Sequence, residues 1–124
     1  MANNRVRELT PRLMELAGLA PAAPPPDDDA SEAAFMADVV RLARRNGFLV
    51  YHTHTSKRSA PGFPDLVLAR PPLLIVAELK VGRNLPTPEQ GEWLSAFREA
   101  GVRAVVWRPA DWPEIERTLA GGRP

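Results

Sequence analysis

Three residues between positions 62 and 90, in the stretch GFPDLVLARPPLLIVAELKVGRNLPTPEQ, are spaced to do chemistry together. Asp65 opens one apolar run, Glu78 closes the next, and Lys80 follows two residues later. In a β-strand, residues two apart point to the same face, so Glu78 and Lys80 share a face and Leu79 turns away. If the two runs pair as a hairpin, Asp65 falls opposite Glu78. Two carboxylates and an amine then converge at the rim of a small sheet. Such a group is suited to holding a hard divalent cation and activating a water. Taken alone, a glutamate and a lysine at a strand end equally form a solvated pair. The scarcity of the residue types weighs against that: Lys57 and Lys80 are the only lysines and Gln90 the only glutamine.

The elements that must position these residues follow from local pattern. In ASEAAFMADVVRLARRNGF, Phe35, Val39, Leu42 and Ala43 recur at helical spacing and Gly47 is a helix stop. Glu32 heads that apolar stripe. With Asp29 as N-cap, Glu32 would also complete a capping box, and the two roles can coexist. Phe48 to Thr53 reads as a strand, and SKRSAPG as a loop with Gly and Pro breakers. Asp65–Ala69 and Leu73–Lys80 are the hairpin strands. The second is apolar on both faces until Glu78, which makes it central. Thr87-Pro88-Glu89-Gln90 opens a helix with a threonine N-cap, proline at the first position and glutamine three after the cap. Trp93, Leu94 and Phe97 are expected to form its buried stripe, and Gly101 ends it. Val102–Trp107 is a further strand, and Asp111-Trp112-Pro113-Glu114 caps a last helix. The expected fold is α/β, in the order α-β-β-β-α-β-α, with a mixed central sheet of about four strands flanked by helices.

The ordered set Glu32, Gly62-Phe63-Pro64-Asp65, Glu78-Leu79-Lys80 and Thr87-Pro88-Glu89-Gln90 resembles the PD-(D/E)XK nuclease superfamily. More narrowly it resembles the virus-type replication-repair nucleases, the VRR-NUC family. The glutamate helix, the Gly-Phe strand and the serine- and lysine-containing loop are also similar to archaeal-type Holliday junction resolvases. The resemblance covers about residues 31 to 119 and implies a restriction-endonuclease-like core. It implies that Asp65 and Glu78 bind Mg²⁺, with Mn²⁺ able to substitute, and that the backbone carbonyl of Leu79 joins them. Lys80 then touches the attacking water or the phosphate, as an orienting and electrostatic group rather than a base. Gln90 has two readings, as the last residue of a capping box and as a residue facing the site.

Upstream of Asp65, Ser56, Lys57, Arg58 and Ser59 lie on a loop able to grip phosphates by charge and hydroxyl contacts. A serine in the corresponding loop matters in the junction resolvases, and the sequence does not choose between Ser56 and Ser59. Arg83 and Asn84, just beyond Lys80, are placed similarly. His52 and His54 share a strand face, but neither a third ligand nor a cysteine stands nearby to make a zinc site.

With 124 residues and a net charge of +1, the chain is one domain, and any nucleic-acid surface must be a local basic patch. There is no cysteine, which excludes disulfides and thiolate metal sites and fits a cytoplasmic protein. No apolar run approaches a membrane span. Bacterial, archaeal or phage origin is expected. Residues 1–19 carry a helical stripe, Val6, Leu9, Leu13 and Leu16, interrupted by Pro11. A proline-rich and acidic linker follows, so the domains are expected as 1–30, an N-terminal segment and linker, and 31–124, the nuclease domain. Together these readings imply a metal-dependent endonuclease acting on DNA, with branched DNA such as a four-way junction favoured and a flap the other structural possibility. A chain this short is expected to recognise shape over sequence and to act as a homodimer. The rival is a nucleic-acid-binding module that keeps the fold without the activity, against which the intact Asp65, Glu78 and Lys80 set argues.

Overall fold

Helix α1, Glu32–Arg45, begins where Ser31 accepts a hydrogen bond from the Ala34 amide through its hydroxyl at 2.9 Å. This computed structural model describes residues 31–54 and 60–121. The expected helix and linker of residues 1–30, and with them the expected domain boundary, lie outside the described residues. So do Ser56, Lys57, Arg58 and Ser59. The Ser31 cap corrects the expectation of an Asp29 cap. A serine adjacent to the helix satisfies the free amide, so Glu32 takes the first helical position and completes no capping box. Phe35, Val39 and Ala43, at four-residue spacing, are the buried stripe. Asn46 and Gly47 turn the chain back. Gly47 has a φ of 90°, a left-handed conformation that glycine adopts without cost.

The sheet has four strands in spatial order of sequence: β1 (Leu49–His52), β2 (Leu66–Arg70), β3 (Leu73–Leu79) and β4 (Arg103–Trp107). β1 and β2 are antiparallel, as are β2 and β3, and β4 joins β3 in parallel. The mixed four-stranded sheet and the order α-β-β-β-α-β-α are those expected. The hairpin register sets Leu66 opposite Ala77, which aligns Asp65 with Glu78 one step beyond the ladder. β3 is central, and its residues 75–79 are all buried.

Helix α2, Pro88–Glu99, and helix α3, Trp112–Ala120, complete the fold, with a short 3₁₀ turn at Pro109–Asp111. α2 carries the expected capping box, Thr87 N–H to Gln90 Oε1 at 2.8 Å and Gln90 N–H to Thr87 Oγ1 at 3.2 Å. Asp111 differs from expectation. Its carboxylate accepts from the Arg108 amide at 2.9 Å and makes no cap bond to α3.

Strand alternation divides the core between two layers. Ile75, Ala77 and Leu79 join Leu66, Leu68 and Trp107 against Phe35, Val39 and Ala43 of α1 and Ile115 and Leu119 of α3. Val76 and Ala104 on the opposite face pack with Leu94 of α2. Glu78 has the same parity as Val76 and therefore lies on the α2 side. Arg70 ties the far end of the sheet to both helices on the first face. Its guanidinium donates to the carbonyls of Asn46, Leu119 and Gly121 and lies over the Phe48 ring.

Candidate active site

The chain path brings several element ends to one end of the sheet. β1, β3 and β4 finish there and β2 starts there. α1 doubles back onto β1 through the Asn46–Gly47 turn, and α2 runs back between β3 and β4. The N-termini of both helices therefore lie toward this end, and a helix N-terminus carries partial positive charge.

Asp65 is fixed from two sides. Its carboxylate Oδ2 accepts from the Leu79 amide at 2.8 Å, so it bridges the gap that the β2–β3 ladder leaves. Its carbonyl accepts from the Thr53 amide at 2.8 Å, and the Thr53 hydroxyl donates to the Pro64 carbonyl at 2.7 Å. The end of β1 thus fastens the Pro64-Asp65 dipeptide. On the other side, the loop before Asp65 is clamped to α2. The Trp93 indole donates to the Pro61 carbonyl at 3.2 Å, and Phe63 stacks edge-on to Trp93 with centroids 5.0 Å apart. Gly62 has a φ of 85°, and a Cβ there would stand 2.5 Å from the Glu89 backbone carbon. Only glycine lets the loop approach the start of α2 so closely.

Glu78 is 1% exposed. Its Oε2 pairs with Lys80 Nζ at 3.2 Å, and Lys80 is itself largely buried. Its Oε1 is buried without a hydrogen-bond partner. The carboxyl is pushed up from 4.5 to about 7, first by burial and then by the negative charge of Asp65, against the opposing pull of Lys80. Lys80 thus pairs with Glu78 while the Asp65 carboxylate is held by the Leu79 amide, and one buried Glu78 oxygen is left unpaired. The negative charge of Asp65 opposes ionisation of Glu78, and a cation placed near both would relieve that repulsion. The donors are hard oxygens, and a magnesium-like ion needs few protein carboxylates because it keeps several waters. A group of three or more Asp, Glu, His or Cys side chains able to hold an ion is absent among the described residues. Any such ion would rest on this pair, backbone and water.

The structure therefore brings Asp65, Glu78, Lys80 and the Leu79 backbone together. Glu32 is exposed at the head of α1, at the same end of the sheet, and is bonded to neither carboxylate. Gln90 uses its side-chain oxygen in the capping box, which leaves its amide nitrogen as the group able to point elsewhere. Arg83 is exposed on the loop after β3. His52 and His54 stack with centroids 4.3 Å apart, without the third ligand a zinc site needs.

Sequence reasoning missed three supports. Thr53 carries no motif, and only its place at the end of β1 gives it a role. Trp93 reads as core by helical spacing but is half-buried and clamps the Gly62 loop. Arg108 follows β4 and donates to the carbonyls of Gly82 at 3.2 Å and Asn84 at 2.6 Å, which fixes the loop beyond Lys80. The parallel pairing of Leu79 with Trp107 is the signal that could have found Arg108.

Among solved structures, the chain is similar to a VRR_NUC domain protein with a TM-score of 0.58 and 23% identity, covering 73% of this chain and 85% of that one. It is similar also to a second VRR_NUC domain with a TM-score of 0.57 and 23% identity, covering 74% of this chain and 97% of that one. The chain therefore has the nuclease-like α/β fold of VRR_NUC domains. No family model matches its sequence, and no curated protein does.

Proposed function

We propose that this protein is a nuclease of the VRR-NUC type, a metal-dependent endonuclease that hydrolyses phosphodiester bonds in DNA. The observation that carries this reading is Glu78: a buried carboxylate with an unpaired oxygen, beside Asp65 and Lys80 at the end of a sheet of this fold. Asp65 and Glu78 are the residues that would hold Mg²⁺ or Mn²⁺, with the Leu79 carbonyl as a further donor. Such an ion supplies a more acidic bound water and neutralises charge on the phosphate.

The protein's own groups do the rest. Lys80 presents an ammonium to the attacking water and to the phosphate oxygens, where negative charge grows in the transition state. The amide of Leu79 holds Asp65 still, and Thr53 holds the backbone that carries it. The N-terminal ends of α1 and α2 favour the approach of an anionic backbone. Glu32 and the amide nitrogen of Gln90 border the same end and are assigned to orient water or phosphate. Lys57, Arg58 and Arg83, with Ser56 and Ser59, are assigned to grip the DNA backbone.

Branched DNA, a four-way junction above all, is the substrate this reading favours. The described residues form one α/β unit with its candidate site at one end of the sheet, which suits recognition of DNA shape, and two opposed cuts call for a symmetric pair of copies. The test is cleavage of supercoiled plasmid, linear duplex, flap and four-way junction DNA in Mg²⁺, Mn²⁺ or chelator. Metal-dependent cleavage with the junction preferred is expected. Binding without cleavage in any metal would reduce the protein to a nucleic-acid-binding module.

A further inference from the structure

The loop that follows Lys80, residues 81–86, is tied down along its length. The Lys80 amide donates to the Trp107 carbonyl at 3.0 Å, and the Asn84 amide donates back to the Val81 carbonyl at 3.3 Å. Arg108 forks onto the Gly82 and Asn84 carbonyls, and its own amide is held by Asp111. At the far end the Thr87–Gln90 capping box fixes the chain again, and Pro86 and Pro88 restrict the backbone between. On this braced segment Leu85 is 75% exposed. Among the described residues the other large exposed apolar residues, Leu49, Tyr51 and Leu74, share one sheet face, with Leu49 and Leu74 in line across Ala69, whereas Leu85 lies on the loop after β3. It lies five residues beyond Lys80, next to Arg83 and Asn84.

An arginine fork, two prolines and a capping box hold the loop that presents this leucine to water. Isolated apolar residues on a surface are commonplace. Here, however, the backbone is fixed and the neighbours are suited to phosphates. The apolar partner nearest a scissile phosphate is the stack of bases beside it. We propose that Leu85 is a wedge that enters the base stack next to the cleaved bond, and so sets the preference for DNA whose bases are already unstacked. An apolar side chain pushed between base steps partly unstacks and kinks a duplex. The cost of parting bases is least where pairing is already broken, as at a branch or flap. Arg83 and Asn84 then hold the flanking backbone while Lys80 serves the phosphate. This inference rests on the DNA-cleaving reading and adds the residue that chooses among substrates.

The experiment has two readouts. The first is the ratio of kcat/KM on a four-way junction to that on linear duplex, for wild type, Leu85→Ser and Leu85→Met. The serine variant should lower the ratio at least tenfold while the methionine variant keeps it near wild type. The second uses 2-aminopurine at the branch step, bound by Glu78→Gln protein to prevent cutting. Emission should rise on binding, and the rise should vanish in Glu78→Gln/Leu85→Ser. Unchanged thermal stability of Leu85→Ser controls for folding. An unchanged ratio and unchanged emission would overturn the wedge while leaving the nuclease reading intact. Failure of wild type to cut any DNA in Mg²⁺ or Mn²⁺ would overturn both.

Discussion

Glu78→Gln removes a charge from a place where burial resists it, and the consequence for stability can be worked out. In metal-free protein the folded state holds the Glu78 proton up to about pH 7, whereas the unfolded chain releases it near 4.5. The folded state therefore binds more protons across that interval, and its stability falls as pH rises through it. Below about pH 4 the carboxyl is neutral in both states and costs nothing. Above about pH 8 it is charged in both, and the difference at ~1.4 kcal/mol per pH unit amounts to about 3 kcal/mol. Glutamine has the same shape without the charge. In chelator at pH 8 the variant should be more stable than wild type by up to this amount, a gain in Tm on the order of 10 °C. At pH 4 to 5 the two should nearly coincide. Urea unfolding of both proteins from pH 4 to 8 reads the difference directly, and subtracting the curves cancels other titrating groups. Saturating Mg²⁺ or Mn²⁺ should reverse the order, because a ligand that binds only the folded state stabilises it by mass action. A pH-independent difference, or a variant less stable than wild type at pH 8 in chelator, would show that Glu78 carries no buried-charge cost and refute the reasoning.

Lys80→Ala should lower the rate at saturating DNA by about 10²–10³-fold while changing Kd only a few-fold, since its ammonium acts on charge that develops in the transition state; single-turnover kinetics with a binding titration separates the two. Gly62→Ala combines a positive φ with a Cβ 2.5 Å from the Glu89 backbone, so urea unfolding should show a loss on the order of 1–3 kcal/mol and cleavage should fall as Asp65 is displaced. Neutralising Lys57 and Arg58 together should reduce the slope of log Kd against log salt by roughly two, at about 0.9 per phosphate contact, with little change in the rate for bound DNA; an unchanged slope would make the loop a solvated charge run.

Much of the fold could be read from the chain because its signals are local and agree with one another. Two apolar runs separated by Pro71-Pro72 and bounded by Asp65 and Glu78 allow little besides a hairpin, and its register follows from the pleat. The Thr87–Gln90 capping box sits where threonine, proline and glutamine predict it. The misreadings occur where local chemistry offers several equivalent partners. Asp29 and Ser31 both cap well, and the one adjacent to the helix start does so. Asp111 had a helix to cap and the Arg108 amide to accept from, and the tight turn after β4 favours the latter. Trp93 has helical spacing, but spacing does not reveal that the Gly62 loop fills the space beside it. Thr53 and Arg108 act across the sheet on segments remote in sequence, so no short pattern marks them. The convergence of Asp65, Glu78 and Lys80 was legible because strand alternation and hairpin pairing alone place them. The unpaired oxygen of Glu78 and its resistance to ionisation were not, because both depend on how completely the folded chain buries that carboxyl, which strand pattern does not reveal.

The proposed nuclease activity requires Asp65 and Glu78 together to hold a divalent ion that drives DNA cleavage. Its most direct test is Mn²⁺ binding followed by electron paramagnetic resonance at pH 8, in wild type, Asp65→Asn and Glu78→Gln, beside cleavage of junction DNA in the same samples. Saturable binding in wild type, at least tenfold weaker binding in each variant, and loss of cleavage in both with folded structure retained are the predicted results. Undiminished Mn²⁺ binding or full cleavage in either variant would contradict the claim for that residue, and in both would place the chemistry elsewhere.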